Sequence, residues 1–195
     1  MLAKVAKTAV LLTMLMAGAA RSEPTTWIGF NTGVAFPIGS FADQASLGYN
    51  IGVVTDLVVR GPWSFGGELS WHGFGGNDDL EKRLTAIAGE PVDLTTRLIP
   101  IVVHGRYRID ANDPLVPFLR GGVGLYNVNV RTEMGSGTHN KTSTDLGFLA
   151  GAGVEVESWE NITWGAELLY QYVGTSDEAT NLLTLRVQMM FGYPK

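Results

Sequence analysis

Residues 162–172, ITWGAELLYQY, and 183–193, LTLRVQMMFGY, decide the fold. In the first, Ile162, Trp164, Ala166, Leu168, Tyr170 and Tyr172 share one face, against Thr163, Gly165, Glu167, Leu169 and Gln171. In the second, Leu183, Leu185, Val187, Met189, Phe191 and Tyr193 alternate with Thr184, Arg186, Gln188, Met190 and Gly192. A period of two is that of a β-strand, whose side chains point to opposite faces in turn. In a soluble sandwich the polar face meets water and is crowded with Lys, Glu and Asp. Here that face holds Gly, Thr and Gln around a single charge, which suits a narrow lumen, while the broad aromatic-edged face suits lipid.

Working outward, segments of the same character recur with turn signals between them. Strands are expected near Thr26–Phe36, Gly48–Val59, Trp63–Gly73, Thr95–Arg108, Pro117–Val130, Thr144–Val156, Ile162–Tyr172 and Leu182–Tyr193. Each has about the 9–11 residues that a tilted membrane strand needs, or slightly more. The connections alternate in length. Arg60-Gly61-Pro62, Asp110–Pro114 and Ser158–Asn161 are short, Pro37–Leu47, Phe74–Asp93 and Arg131–Ser143 are long, and Val173–Asn181 is intermediate. The expectation is an all-β, eight-stranded antiparallel up-and-down transmembrane β-barrel, with tight turns and both termini in the periplasm and longer loops outside. A closed barrel has no free edge to force association, so a monomer is expected.

Composition agrees with one membrane-spanning unit. Charged residues are 17% of the chain, below the roughly 25% usual for soluble domains. Lys4 and Lys7, the apolar Ala9–Met16 and the small residues Ala17-Gly18-Ala19 read as a secretory signal peptide over residues 1–20, leaving 21–195 as the barrel domain. Removing that leader leaves twelve basic against nineteen acidic residues, a net charge of −7, which disfavours nucleic acid and other polyanions. The absence of cysteine excludes disulfides, lipoprotein attachment and thiolate metal sites.

One connection carries local structure. Asn77–Gly89 reads as a short amphipathic helix, with Asp78 and Glu81 in capping-box spacing, Leu80, Leu84 and Ile87 at helical spacing, and Gly89 and Pro91 as stop signals.

Charges inside the strands set the candidate site. A charge facing lipid at mid-depth costs roughly 2–4 kcal/mol, so Glu68, Arg106, Glu155, Glu167 and Arg186 are expected to point inward as a structural lumen network. Glu167 and Arg186 flank the last loop at nearly equal distance, which sets them opposite each other as a cross-strand ion pair. Asp56, His72, His104, Gln171 and Gln188 fall on the same inward phase. Arg120 is in conflict, because its phase turns Asn127 and Asn129 outward; a bulge or a snorkelling position near the periplasmic edge would resolve it. Since the interior of eight strands is about filled by side chains, paired charges point to a polar plug rather than an open pore.

The chain resembles the family of small eight-stranded outer-membrane β-barrels related to the transmembrane domain of outer membrane protein A. The resemblance lies in residues 33–41 (GVAFPIGSF), residues 117–124 (PFLRGGVG) and the repeated Gly-Ala-Gly between Gly147 and Glu155. It implies residence in the bacterial outer membrane with its lipid as partner. It also implies insertion by an assembly machinery that reads a terminal aromatic; here Phe191 and Tyr193 are followed by Pro194-Lys195.

Catalysis is not expected. Lipid A deacylases of this size use a His-x-Ser pair, whereas the three histidines here continue as His72-Gly73-Phe74, His104-Gly105-Arg106 and His139-Asn140-Lys141. No Gly-x-Ser-x-Gly elbow, metal-ligand spacing or Ca²⁺ loop is present, so no cofactor is expected. The leading expectation is a non-catalytic barrel with a structural or limited porin-like role. A surface-interaction barrel acting through its external loops, and an outer-membrane lipid-modifying enzyme, are the alternatives.

Overall fold

The computed structural model describes residues 26–109, 115–159, 161–174 and 179–193. The leader expected at 1–20, the short connection expected at 110–114, residues 175–178 and the final Pro194-Lys195 lie outside the described residues. Eight strands, β1 (Thr26–Ile38), β2 (Ala45–Arg60), β3 (Trp63–Gly76), β4 (Val92–Arg108), β5 (Leu115–Met134), β6 (Gly137–Trp159), β7 (Ile162–Val173) and β8 (Thr180–Tyr193), follow one another in spatial order. All neighbours are antiparallel, and β8 pairs with β1 to close the barrel.

The alternation of the sequence becomes the two surfaces of this wall. Outward positions such as Phe30, Ile51, Leu69, Ile101, Val123, Leu168 and Val187 are exposed, while their neighbours point inward and are mostly buried. Paired aromatics edge the apolar band. Trp63 packs on Tyr107 at 4.8 Å near the end that holds the chain termini; Tyr49 meets Trp71 and Phe148 meets Tyr172, each at 5.1 Å, near the loop end. Such girdles are where amphipathic rings settle at a membrane surface.

Two expectations need correction. The stretch 131–143 is not a loop: β5 and β6 run 20 and 23 residues and pair without interruption to Met134 and Gly137, joined through Gly135 and Ser136. Polarity suggests a loop, but the β-branched Thr and Val of this stretch favour strand despite its Asn residues, and a sheet that rises clear of lipid carries polar residues on both faces. Arg120 needs neither bulge nor edge. Strand β5 keeps one register against both neighbours, and Arg120 is buried in the interior while Asn127 and Asn129 point outward above the apolar band.

The connections at the loop end are compact. A 3-10 turn at Gly39–Asp43 lays Phe41 into the barrel mouth, edge-on to Phe74 at 5.2 Å. Helix α1 spans Asp78–Ala88, capped by Asn77, whose side chain accepts from the backbone N–H groups of Asp79 and Leu80. The capping-box role assigned to Asp78 therefore falls to Asn77, and Glu81 is used differently: its Oε1 accepts from the Leu94 backbone N–H at 2.7 Å and ties the helix to β4.

Candidate functional site: the lumen charge network

The interior divides into two layers. Toward the loop end the interior holds an apolar cluster that includes Phe41, Phe74, Leu98, Val128, Leu149, Leu169 and Leu182. The purely polar plug expected from the charges is thus only half of the filling. Inward positions near the loop ends are Leu, Val and Phe, and burial drives them together as in any core. Inward glycines make room for the larger rings: a Cβ on Gly147 would run into Tyr126, and one on Gly153 into Phe118.

Below this layer lie the ionic groups. Arg186 donates to both oxygens of Glu68, at 2.7 and 3.0 Å, and to Glu167 Oε2 at 2.6 Å from Nη2 and 2.9 Å from Nε. Arg120 donates to Glu68 at 2.5 Å and to Glu167 at 3.4 Å. Glu167 and Arg186 are direct partners in the β7–β8 register. Four strands, β3, β5, β7 and β8, thus meet through two carboxylates and two guanidiniums.

A second group lies nearer the terminus end. Arg106 Nη1 is 3.2 Å from both Asp56 and Glu155, and its Nη2 donates to Gln188 at 3.3 Å. Arg108 Nε donates to Glu155 at 2.5 Å. The Arg106 guanidinium also sits 4.4 Å above the Phe118 ring, a cation–π contact that covers its flat face.

His104 joins the two groups. Its Nε2 is 2.7 Å from Asp56 Oδ1 and its Nδ1 is 2.9 Å from Arg120 Nη2. A guanidinium can only donate, so Nδ1 accepts and Nε2 carries the hydrogen that Asp56 receives. The ring is therefore neutral, and four carboxylates (Asp56, Glu68, Glu155, Glu167) face four guanidiniums (Arg106, Arg108, Arg120, Arg186). That balance matters because an unmatched charge in a confined interior is far more costly than a matched pair.

All five residues singled out from the sequence are buried here, Glu68, Glu167 and Arg186 in the first group and Arg106 and Glu155 in the second. Asp56, His104 and Gln188 join them, as their phase implied. Arg108 was overlooked, although it stands two residues after Arg106 on the same face. His72 stays apart: it is buried against Phe74, and neither ring nitrogen has a protein partner. Gln171 bonds Thr184 at 3.3 Å rather than any charge.

Each of these carboxylates is held by arginine, His104 bonds Asp56 and Arg120, and no group of metal-ligating side chains occurs among the described residues. At the loop end, a cleft of about 610 Å³ lies between the 3-10 turn and the inner face of the β5–β6 hairpin, lined among others by Ser40, Phe41, Val130, His139 and Lys141.

Comparisons with known proteins agree with this architecture. The family model described as "Outer membrane protein beta-barrel domain" matches residues 7–193. A major outer membrane protein from Thermus thermophilus superposes with a TM-score of 0.63 at 11% identity, over 88% of this chain and 100% of that one. Neisserial surface protein A gives 0.58 at 14% identity, over 86% and 97%. Ail, the attachment invasion locus protein of Yersinia pestis, crystallised with the heparin analogue sucrose octasulfate, gives 0.52 at 15%, also over 86% and 97%. At these identities the likeness is one of fold. No curated protein matches the sequence.

Proposed function

Since the chain belongs to the outer membrane protein beta-barrel domain family, and is thereby an integral outer-membrane β-barrel, we propose that it is a non-catalytic, closed barrel that supports the bacterial envelope and passes solutes at most sparingly. The observation behind this reading is the filled interior. The large inward side chains Arg106, Arg186, Tyr126, Phe118 and Leu98 are each less than 2% exposed. In this reading a balanced ionic layer under an apolar one interrupts the aqueous path through the lumen. In this reading the leader directs export, the assembly machinery inserts a monomer, and the tight turns face the periplasm. Liposomes carrying the refolded protein, placed in a hyperosmotic small sugar, should swell no faster than protein-free liposomes. Rapid swelling would replace this reading with a porin.

A second reading, a surface-interaction barrel, is favoured by the mouth cleft. Its volume is in the range of small-ligand sites, and its lining mixes Phe41 and Val130 with His139 and Lys141. The third, a lipid-modifying enzyme, is supported by no hydroxyl–histidine contact among the described residues; Ser70 and Ser143 donate to carboxylates instead.

A further inference from the structure

The sheet extension formed by β4, β5 and β6 has two lateral edges, and the chain treats them differently. On β4 the edge is covered. The Leu94 N–H donates to Glu81 Oε1 at 2.7 Å and the Val92 N–H to Thr85 Oγ1 at 3.1 Å, so helix α1 takes the place of a neighbouring strand. On β6 the edge is bare. Its pairing with β7 stops at Gly147 and Val173, and one more bond, from the Gly174 N–H to the Leu146 C=O at 3.0 Å, closes the ladder. A strand directs the N–H and C=O of every second residue to the same side, so Thr144, Thr142, Asn140 and Thr138 aim theirs where Leu146 aims its own. No element pairs with them there among the described residues.

This edge is fit to receive a strand. From Thr138 to Thr144 it runs about 20 Å. It contains no proline, and β6 keeps one register against β5 throughout, so no bulge twists it away. Exposed edges are ordinarily blunted by such devices. The mouth cleft adjoins it: His139, Lys141 and Ser143 line that cleft from β6, Asn140 reaches it from the edge, and Phe41, Val128 and Val130 form its apolar part. A strand laid on β6 turns every second side chain over the cleft. One such side chain meets the apolar surface at the level of Ser143 and Val128, which are register partners, and the next stands beside Lys141, two residues higher.

We propose that the β6 edge binds an extended segment of another protein as an added strand, with an apolar side chain entering the cleft and an acidic one two residues away beside Lys141. Main-chain hydrogen bonds supply affinity and the alternate side chains supply selection. A lysine on the edge discourages uncharged strands and favours an opposite charge directly across from it. A second copy of the chain fits less well. Two barrels in one membrane present their β6 strands in the same direction, and the ladder this allows is the parallel one, slightly less stable per residue. The inference rests on the surface-interaction reading and gives that reading its partner.

The test places the purified protein in lipid nanodiscs with two fluorophore-labelled, end-capped peptides, one alternating Thr with Val and Glu, the other with Gln in place of Glu. Anisotropy reads binding, and amide NMR locates it. The Glu peptide should bind more tightly than the Gln peptide and shift the amides of Thr138, Asn140, Thr142 and Thr144. Methylating the amide nitrogens of one alternating set of peptide residues should abolish binding and methylating the other set should spare it, because only one edge of the peptide meets β6. Thr142→Pro removes a donor that the barrel wall does not use, and should weaken binding about tenfold, what the loss of one or two main-chain hydrogen bonds gives. Lys141→Gln should bring the two peptides to equal affinity. The gel mobility of unheated samples shows separately that each variant is folded. Binding by neither peptide, binding indifferent to Thr142→Pro, or amide shifts confined to α1 or the 3-10 turn would overturn the assignment. Peptide added to cells separates the site from the reading beneath it: labelling only after permeabilisation, with binding intact in nanodiscs, upholds the edge site and removes the surface-interaction reading.

Discussion

Arg186 bonds two carboxylates, and Glu167 shares its two guanidiniums with Glu68. The two residues are therefore unequal in what they leave behind. Arg186→Met leaves Glu68 and Glu167 competing for Arg120, whereas Glu167→Gln leaves Arg186 still bonded to both oxygens of Glu68. Breaking a buried pair costs roughly 3–5 kcal/mol, and Arg186→Met should lie at the upper end and Glu167→Gln at the lower. The double variant, which restores one carboxylate per guanidinium, should be milder than Arg186→Met alone. Urea unfolding of the refolded variants in lipid checks the order. At His104 the tautomer makes a second prediction. Gln supplies an acceptor for Arg120 and a donor for Asp56, so His104→Gln should keep most of the stability that His104→Leu loses; equal losses would mean the two bonds do not matter. The Glu167–Arg186 pair was legible because the two residues flank one connection at nearly equal distance, so counting outward from it sets the register. Arg120 was not, because its strand leaves the membrane midway, and the outward Asn127 and Asn129 looked like a phase error instead of a change of solvent.

At the scale of elements, strand centres follow from alternation, and strand ends do not. Alternation reports a difference between two faces, and where β5 and β6 rise into water both faces are polar and the signal fades. Helix α1 was visible through Leu80, Leu84 and Gly89, though its cap was misplaced by one residue, since Asn77 and Asp78 are both good caps. Replacing Asn77 by Ala should cost about 1 kcal/mol, seen as faster amide exchange across residues 79–81 with the rest of the barrel unchanged. The hairpin gives a topology test. An epitope inserted between Gly135 and Ser136 should bind antibody on intact cells, while the same epitope between Gly61 and Pro62 should bind only after permeabilisation. The reverse pattern would turn the barrel over.

For the whole molecule, closure and filling are separate properties, and only closure was readable from eight alternating segments. The filling depends on which inward residues reach one another across the lumen, and contacts such as Arg186 with Glu68, 118 residues apart, cannot be counted from loop lengths. The apolar layer was hidden for a related reason: Leu169, Leu182 and Val173 sit on the face that carries the charges, and only the three-dimensional arrangement separates them by height. A closed, hydrogen-bonded wall should keep unheated protein compact on a detergent gel and shift its mobility on boiling. The central claim, that a balanced ionic layer beneath an apolar one seals this barrel, is tested most directly by single-channel recording of the purified protein in planar bilayers. The account predicts a parent protein without large steady openings and measurable small-ion leakage in Arg186→Met; stable, high-conductance openings in the parent protein would contradict it.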